Sequence, residues 1–401
     1  MNVEIKSRTD YYVELENDLG AHNYHPLDVV IEKAKGIWVY DVDGNKYMDC
    51  LSSYSAINQG HCHPRLIETL KTQAELVTLT SRAFRNNQLP LLYKKLQEIS
   101  KKEMFIMMNS GAEAVETAIK AARKWGYKIK NIPENKAEII VCENNFHGRT
   151  TTIVSFSSDE QYKDGFGPFT PGFKIIPFGD VEALRNSITP NTCAFLVEPI
   201  QAEAGIYMPP DGYLKEVEKI CKENNVLFVV DEIQTGLGRT GKMFAHYYDD
   251  VDPDMIVIGK ALSGGFYPVS AVLSSKEILG VFNPGDHGST FGGNPLGCAV
   301  SKTALDIISE ENLCENSYDM GKYIISELKK IDSKKIKEIR GKGLLIGIEL
   351  NIKARPICEK LMELGMLCKD THGTIIRLTP PLIITKEEID WAIGKIKTAL
   401  E

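Results

Sequence analysis

The chain has no long hydrophobic stretch. Its apolar runs stop at about five to seven residues, far short of the roughly 20 needed to cross a bilayer, and its charged start, Met1–Lys6, lacks the apolar core of a signal peptide. Blocks of lysine and arginine are also missing, and a net charge of -7 at pH 7 gives no general attraction to nucleic acid or anionic lipid. Cysteine is not scarce, but a disulfide framework is absent: the nine cysteines form an odd set with no C-x-x-C pair and no dense cluster. These absences point to reduced thiols, a cytoplasmic location and small-molecule partners, with no nucleic acid and no membrane. His61-Cys62-His63 resembles a metal site, but adjacent residues rarely ligate one ion, and no Cys/His cluster at zinc spacing supports them. That segment reads as a turn into Pro64 and a helix; no metal is expected. His22 and His25 are read the same way.

What is present is an ordinary globular composition, 43% hydrophobic and 25% charged over 401 residues, which suffices for two domains. The first 50 or so residues read as a short helix, a loop rich in His, Asn and Pro, and a hairpin turning at Asp43-Gly44. From about residue 64 to 310, helices alternate with seven short apolar runs: Phe105–Met108, Glu138–Cys142, Thr152–Phe156, Cys193–Val197, Val226–Val230, Met255–Ile258 and Val269–Leu273. Such strands, apolar on both faces, predict an α/β fold with a mainly parallel seven-stranded sheet covered by helices. After a long helix near 294–310 the pattern changes to helix, strand, helix, strand and a final amphipathic helix from about 385. This predicts a smaller α+β domain. The expected division is an N-terminal segment at 1–52, a large domain at 53–310 and a C-terminal part of the small domain at 311–401.

Ligands on parallel sheets sit at the carboxyl ends of strands. Two runs end there with chemistry: Val226–Val230 leads into Asp231, and Met255–Ile258 leads through Gly259 into Lys260. A lysine that can hold an aldehyde as a Schiff base, beside a carboxylate that can keep a pyridine nitrogen protonated, is the pairing pyridoxal phosphate needs. Asn109-Ser110-Gly111-Ala112-Glu113 follows another strand and opens a strongly helical stretch, so its backbone N–H groups and helix dipole suit the cofactor phosphate. Asn145-Phe146-His147-Gly148-Arg149 places an aromatic ring, which can stack on a planar ligand, next to a guanidinium, which can fork onto a carboxylate. Arg377 lies within an apolar strand and must find an anion, either an internal partner or a substrate carboxylate. Gly236–Gly241 matches G-x-G-x-x-G but does not bridge strand to helix, and Met243 stands where a P-loop needs Ser or Thr. It is expected to be a flexible active-site loop.

Val230-Asp231-Glu232-Ile233-Gln234-Thr235-Gly236, Gly259-Lys260 and Ser289-Thr290-Phe291-Gly292-Gly293-Asn294-Pro295, in that order and spacing, resemble the class III aminotransferases of pyridoxal phosphate fold type I along nearly the whole chain. Within that family, Gly20–Pro26, Ser52–His61 and Asn145–Thr150 resemble the branch that uses the δ-amine of ornithine more than the branches using acetylornithine or 4-aminobutyrate. The resemblance implies that Lys260 carries the cofactor and shuttles a proton, and that Asp231 pairs with the ring nitrogen. Gln234 would contact the ring hydroxyl, Phe146 would stack on the ring, and Gly111 and Ala112 would hold the phosphate. Thr290 would reach that phosphate from the second subunit of a homodimer. Tyr24 and Arg149 would bind the remote carboxylate and Tyr54 would shape the pocket. Glu203 would pair with Arg377 while L-ornithine is bound and release it for 2-oxoglutarate. Two readings from other classes are weaker. A DNA-binding regulator lacks an output module, and a nicotinamide oxidoreductase rests on Gly236–Gly241 alone.

Overall fold

The structure, a computed structural model, describes residues 7–401; the start Met1–Lys6 lies outside them. The large sheet has seven strands in the order Met104–Met108, Ser270–Ser274, Met255–Ile258, Leu227–Asp231, Thr192–Val197, Glu138–Cys142 and Phe173–Ile176. Ser270–Ser274 runs antiparallel to both of its neighbours, and the other pairings are parallel. The apolar runs show why this sheet is buried on both sides. Side chains alternate across a strand, and here both sets are apolar: Leu227 and Val229 join one core cluster while Phe228 and Val230 join the other. Helix Gly111–Lys128 covers the first face with Ala114, Val115, Ala118 and Ala122. Helices Tyr213–Glu223 and Pro295–Glu310 supply the second.

Two small sheets complete the chain. One joins Ile31–Lys35, Trp38–Asp41 and Lys46–Asp49 to Met366–Leu367, with Met48 paired in parallel to Met366. The N-terminal hairpin and the C-terminal region thus share hydrogen bonds, forming the smaller α+β part. The other sheet is antiparallel, in the order Ile336–Lys342, Leu345–Leu350, Ile375–Leu378, Lys369–Thr371. Among the described residues, no helix is long and apolar enough to cross a membrane.

Two expectations are corrected. Thr152–Phe156 is not a strand: Thr151–Val154 is a short helix whose start is capped by the Thr150 hydroxyl, which accepts from the Ile153 amide at 3.4 Å. Ile153 and Phe156, three apart, then reach the same core cluster, a helical spacing that the β-branched composition obscures. The seventh strand is instead Phe173–Ile176, at the sheet edge. The second correction concerns Gly236–Gly241. The segment is buried rather than flexible. Arg239 ties it down, donating to the carbonyls of Leu344 (2.9 Å) and Pro380 (2.5 Å) and to Asn58 Oδ1 (2.6 Å).

Candidate active site at the strand ends

Neighbouring strands deliver the site by register. Val197 pairs with Val230, so the next residues, Glu198 and Asp231, leave adjacent strands side by side. Asp231 pairs with Val257, and three residues further along that neighbouring strand Lys260 turns back toward the site. Lys260 has φ +42, a left-handed conformation that costs a side-chain-bearing residue about 1–3 kcal/mol and is typical of functional positions. The turn is held by the Leu262 amide donating to the Gly259 carbonyl at 2.9 Å.

These residues line a cavity of about 190 Å³ together with Gly111, Ala112, Phe146, His147 and Gln234. At one end of the cavity, helix Gly111–Lys128 starts with a reciprocal cap. Glu113 accepts the amides of Asn109 (2.9 Å) and Ser110 (2.7 Å), and its own amide donates to the Ser110 hydroxyl at 3.2 Å. The next two amides, of Gly111 and Ala112, have no acceptor among the described residues and border the cavity. A Cβ at Gly111 would stand 3.0 Å from Ile233 Cδ1, so the helix start packs tightly against Ile233.

At the opposite end the charges are arranged around Asp231. Its Oδ2 accepts from His147 Nδ1 at 2.7 Å and its Oδ1 accepts from the Ile233 amide at 3.0 Å. Burial alone would lower the His147 pKa, but the hydrogen bond and charge of Asp231 outweigh it and hold the ring toward its cationic form. His147 Nε2 is buried without a partner among the described residues. Burial pushes Glu198 up to about 8, opposed by the His147 cation, while its Oε2 accepts the Phe146 amide at 3.0 Å. Burial also brings Lys260 down to about 8, helped by the like charge of Arg377 and opposed by Asp231. An amine so poised exchanges protons near neutrality.

Arg377, buried in strand Ile375–Leu378, bonds Glu203 Oε2 through Nη1 at 2.9 Å and Gln234 Oε1 through Nη2. Its cation lies 5.4 Å from the Tyr54 ring centroid, and burial lowers its pKa against the pull of Glu203. Gln234 is thus engaged with Arg377 while it also borders the cavity. Arg149 is exposed and stacks over Tyr162 (4.0 Å) and Phe146 (5.6 Å), in a neighbouring cavity of about 310 Å³ that includes Tyr24. Tyr24, 73% exposed, also borders a third cavity with Tyr54. Thr290 is exposed and lines none of these three. His147 and Glu198 have no role assigned from sequence, although Glu198 carried a signal: an ionisable residue directly after an apolar strand, as Asp231 is.

The residues fit pyridoxal phosphate. A pair of free amides faces the phosphate end, an aromatic ring borders the middle, a carboxylate braced by histidine lies deep, and a lysine opens into the same space. Fold and site together define an enzyme that works through this cofactor. The family model for class III aminotransferases matches residues 19–400. A curated relative from Brevibacillus brevis, an ornithine aminotransferase, is 62% identical over 394 residues, covering 98% of this chain and 99% of that protein. Among solved structures, the ornithine aminotransferase of Toxoplasma gondii, with pyridoxal phosphate at partial occupancy in its active site, superposes with a TM-score of 0.96 at 44% identity, covering 99% of this chain and 95% of that one. An acetylornithine aminotransferase from Elizabethkingia anophelis gives 0.90 at 47% identity, covering 98% of both chains. The chain belongs to the class III aminotransferase family.

Proposed function

We propose that this chain transfers the δ-amino group of L-ornithine to 2-oxoglutarate, giving L-glutamate 5-semialdehyde and L-glutamate, as a cytoplasmic homodimer. When bound, pyridoxal phosphate supplies an aldehyde that captures the amine and a ring that takes up the electrons released at the reacting carbon. Gly111 and Ala112 hold its phosphate through their amides, with Thr290 of a second copy completing that end. Phe146 covers the ring, and Asp231 keeps the ring nitrogen protonated while His147 orients the carboxylate. Lys260 Nζ would carry the cofactor and, once released by the incoming amine, would move a proton between the reacting substrate carbon and the cofactor's carbon. Gln234 reaches the ring hydroxyl.

The observation that carries the substrate reading is the 2.9 Å pair between Arg377 and Glu203. Ornithine has two amines, and only the δ-amine is to react. An unpaired Arg377 would draw the α-carboxylate to the reacting end; paired with Glu203 it offers no free charge, so Tyr24 and Arg149 hold that carboxylate at the far end and Tyr54 shapes the space between. When 2-oxoglutarate enters, Glu203 gives way and Arg377 binds its α-carboxylate. The direct test is to mix the purified protein with ornithine and 2-oxoglutarate and trap the semialdehyde with 2-aminobenzaldehyde. No adduct would overturn the reading. A second reading, an acetylornithine aminotransferase, draws support from the likeness to the Elizabethkingia protein; faster turnover of N-acetylornithine than of ornithine would establish it.

A further inference from the structure

The turn that carries Glu203 is held from outside its own sheet. Ala202–Tyr207 leaves the large sheet after Thr192–Val197 and folds back on itself, with Gln201 and Tyr207 exchanging backbone hydrogen bonds of 3.1 and 3.0 Å. Its apex is conformationally unusual, with φ +127 at Gly205 and +61 at Ile206. An isoleucine in that region does not stay there unaided. The aid comes from Arg340, on strand Ile336–Lys342 of the second small sheet. Its Nε and Nη2 donate to the Gly205 carbonyl at 3.0 and 2.8 Å, and Nε also reaches the Ile206 carbonyl at 3.2 Å. The guanidinium lies 4.2 Å from the Tyr207 ring centroid, and its charge is balanced by Glu349 (2.6 Å) and Glu338 (2.7 Å). Thr371, on the edge strand of the same sheet, donates to the Glu203 carbonyl at 2.9 Å.

Arg377 belongs to that sheet as well. Both members of the pair are therefore referenced to one rigid element: Arg377 as part of a strand, Glu203 through the Arg340 grip on its turn. We infer that Arg340 is a positioning residue for amine selectivity, holding the Glu203 turn where its carboxylate neutralises Arg377. The inference rests on the gate reading given under the proposed function. Lysine cannot replace the grip, because an ammonium is a point charge without the planar fork that spans two carbonyls. Loosening the turn leaves Arg377 unpaired for a larger fraction of the time, which favours amines that carry a carboxylate on the reacting carbon.

The experiment follows the half-reaction by absorbance in the holoenzyme, with ornithine and with glutamate as amine donors, and reports the ratio of their kcat/KM values. The variants are Arg340→Lys, Glu203→Ala, their double, and Gly205→Ala. Arg340→Lys is expected to lower the ornithine-to-glutamate ratio about fivefold, the scale of one net hydrogen bond. The double variant should fall no further than Glu203→Ala alone, within about twofold, because both act through one pair. Gly205→Ala displaces the same turn while leaving every charged residue in the sequence, since its Cβ would clash with Ile375 Cδ1 and press on Arg340 Nη2 at 3.3 Å, at a φ that suits only glycine, and should lower the ratio too. If Arg340→Lys and Gly205→Ala slow both donors equally, their role is merely structural and the inference falls. If Glu203→Ala itself leaves the ratio unchanged, the gate reading falls instead.

Discussion

The cofactor pocket and the Glu203–Arg377 pair are built by different means. Asp231, Glu198 and Lys260 come from three adjacent strands, so the register of one sheet determines their spacing. The pair joins residues 174 positions apart, one after a strand of the large sheet and one within a small antiparallel sheet. A site set by register is rigid and suits chemistry that is the same for every substrate. A contact between separate sheets can open at the expense of one ion pair, and suits a choice between substrates. The difference predicts that pocket substitutions lower all rates together, whereas substitutions at the pair redistribute rates between amines.

The largest effect tests the pocket. Lys260→Ala should lower turnover of ornithine and glutamate alike, by about 10³-fold or more, because in the proposed mechanism it removes both the covalent tether and the proton carrier. Borohydride reduction should then fix no cofactor on the protein. Asp231→Asn should lower both by about 10²-fold, the scale of one lost electrostatic stabiliser, while the neighbouring His147 loses the carboxylate that favours its cation. Steady-state kinetics on two donors checks both variants. A strong change of preference in either would erase the distinction between the regions.

Glu203→Ala tests the other side. The ratio of ornithine to glutamate efficiency should fall about tenfold, equivalent to about 1.4 kcal/mol, with total turnover on the better donor kept within an order of magnitude. An unchanged ratio would remove selectivity from the pair. Arg377 would remain buried with Gln234 as its partner, so a drop in thermal stability is expected alongside.

Legibility in the sequence follows the same division. Leu227–Asp231 and Met255–Ile258 were readable because a fully covered strand needs apolar residues on both faces, and the ionisable residue that ends such a run stands out. Phe173–Ile176 was not, because an edge strand tolerates Lys174 and offers only four residues. Thr152–Phe156 misled because β-branched composition outweighed the cap at Thr150. Gly236–Gly241 resembled a mobile loop because nothing local announces that Arg239 will bind carbonyls more than 100 residues away. The Arg340 grip on Gly205, across 135 positions, is equally silent. Long-range hydrogen bonds to backbone leave no residue pattern, since any residue supplies a carbonyl.

The smallest expected effect concerns Glu198, and it measures how dry the pocket is. Burial raises its pKa from the ordinary carboxylate range to about 8 in the folded chain. A carboxyl with a raised folded value binds more protons when folded than unfolded, so its contribution to stability is complete below the unfolded pKa and is lost as pH rises through about 8. Glu198→Gln keeps the shape and the neutral state at every pH. Its unfolding free energy from urea titration, compared with that of the unaltered protein, should therefore improve as pH goes from 5 to 8, by about 1 kcal/mol once relaxation around a buried charge is allowed for. If the two proteins keep a constant difference over that window, water reaches Glu198, and the pocket is no drier than the gate beside it.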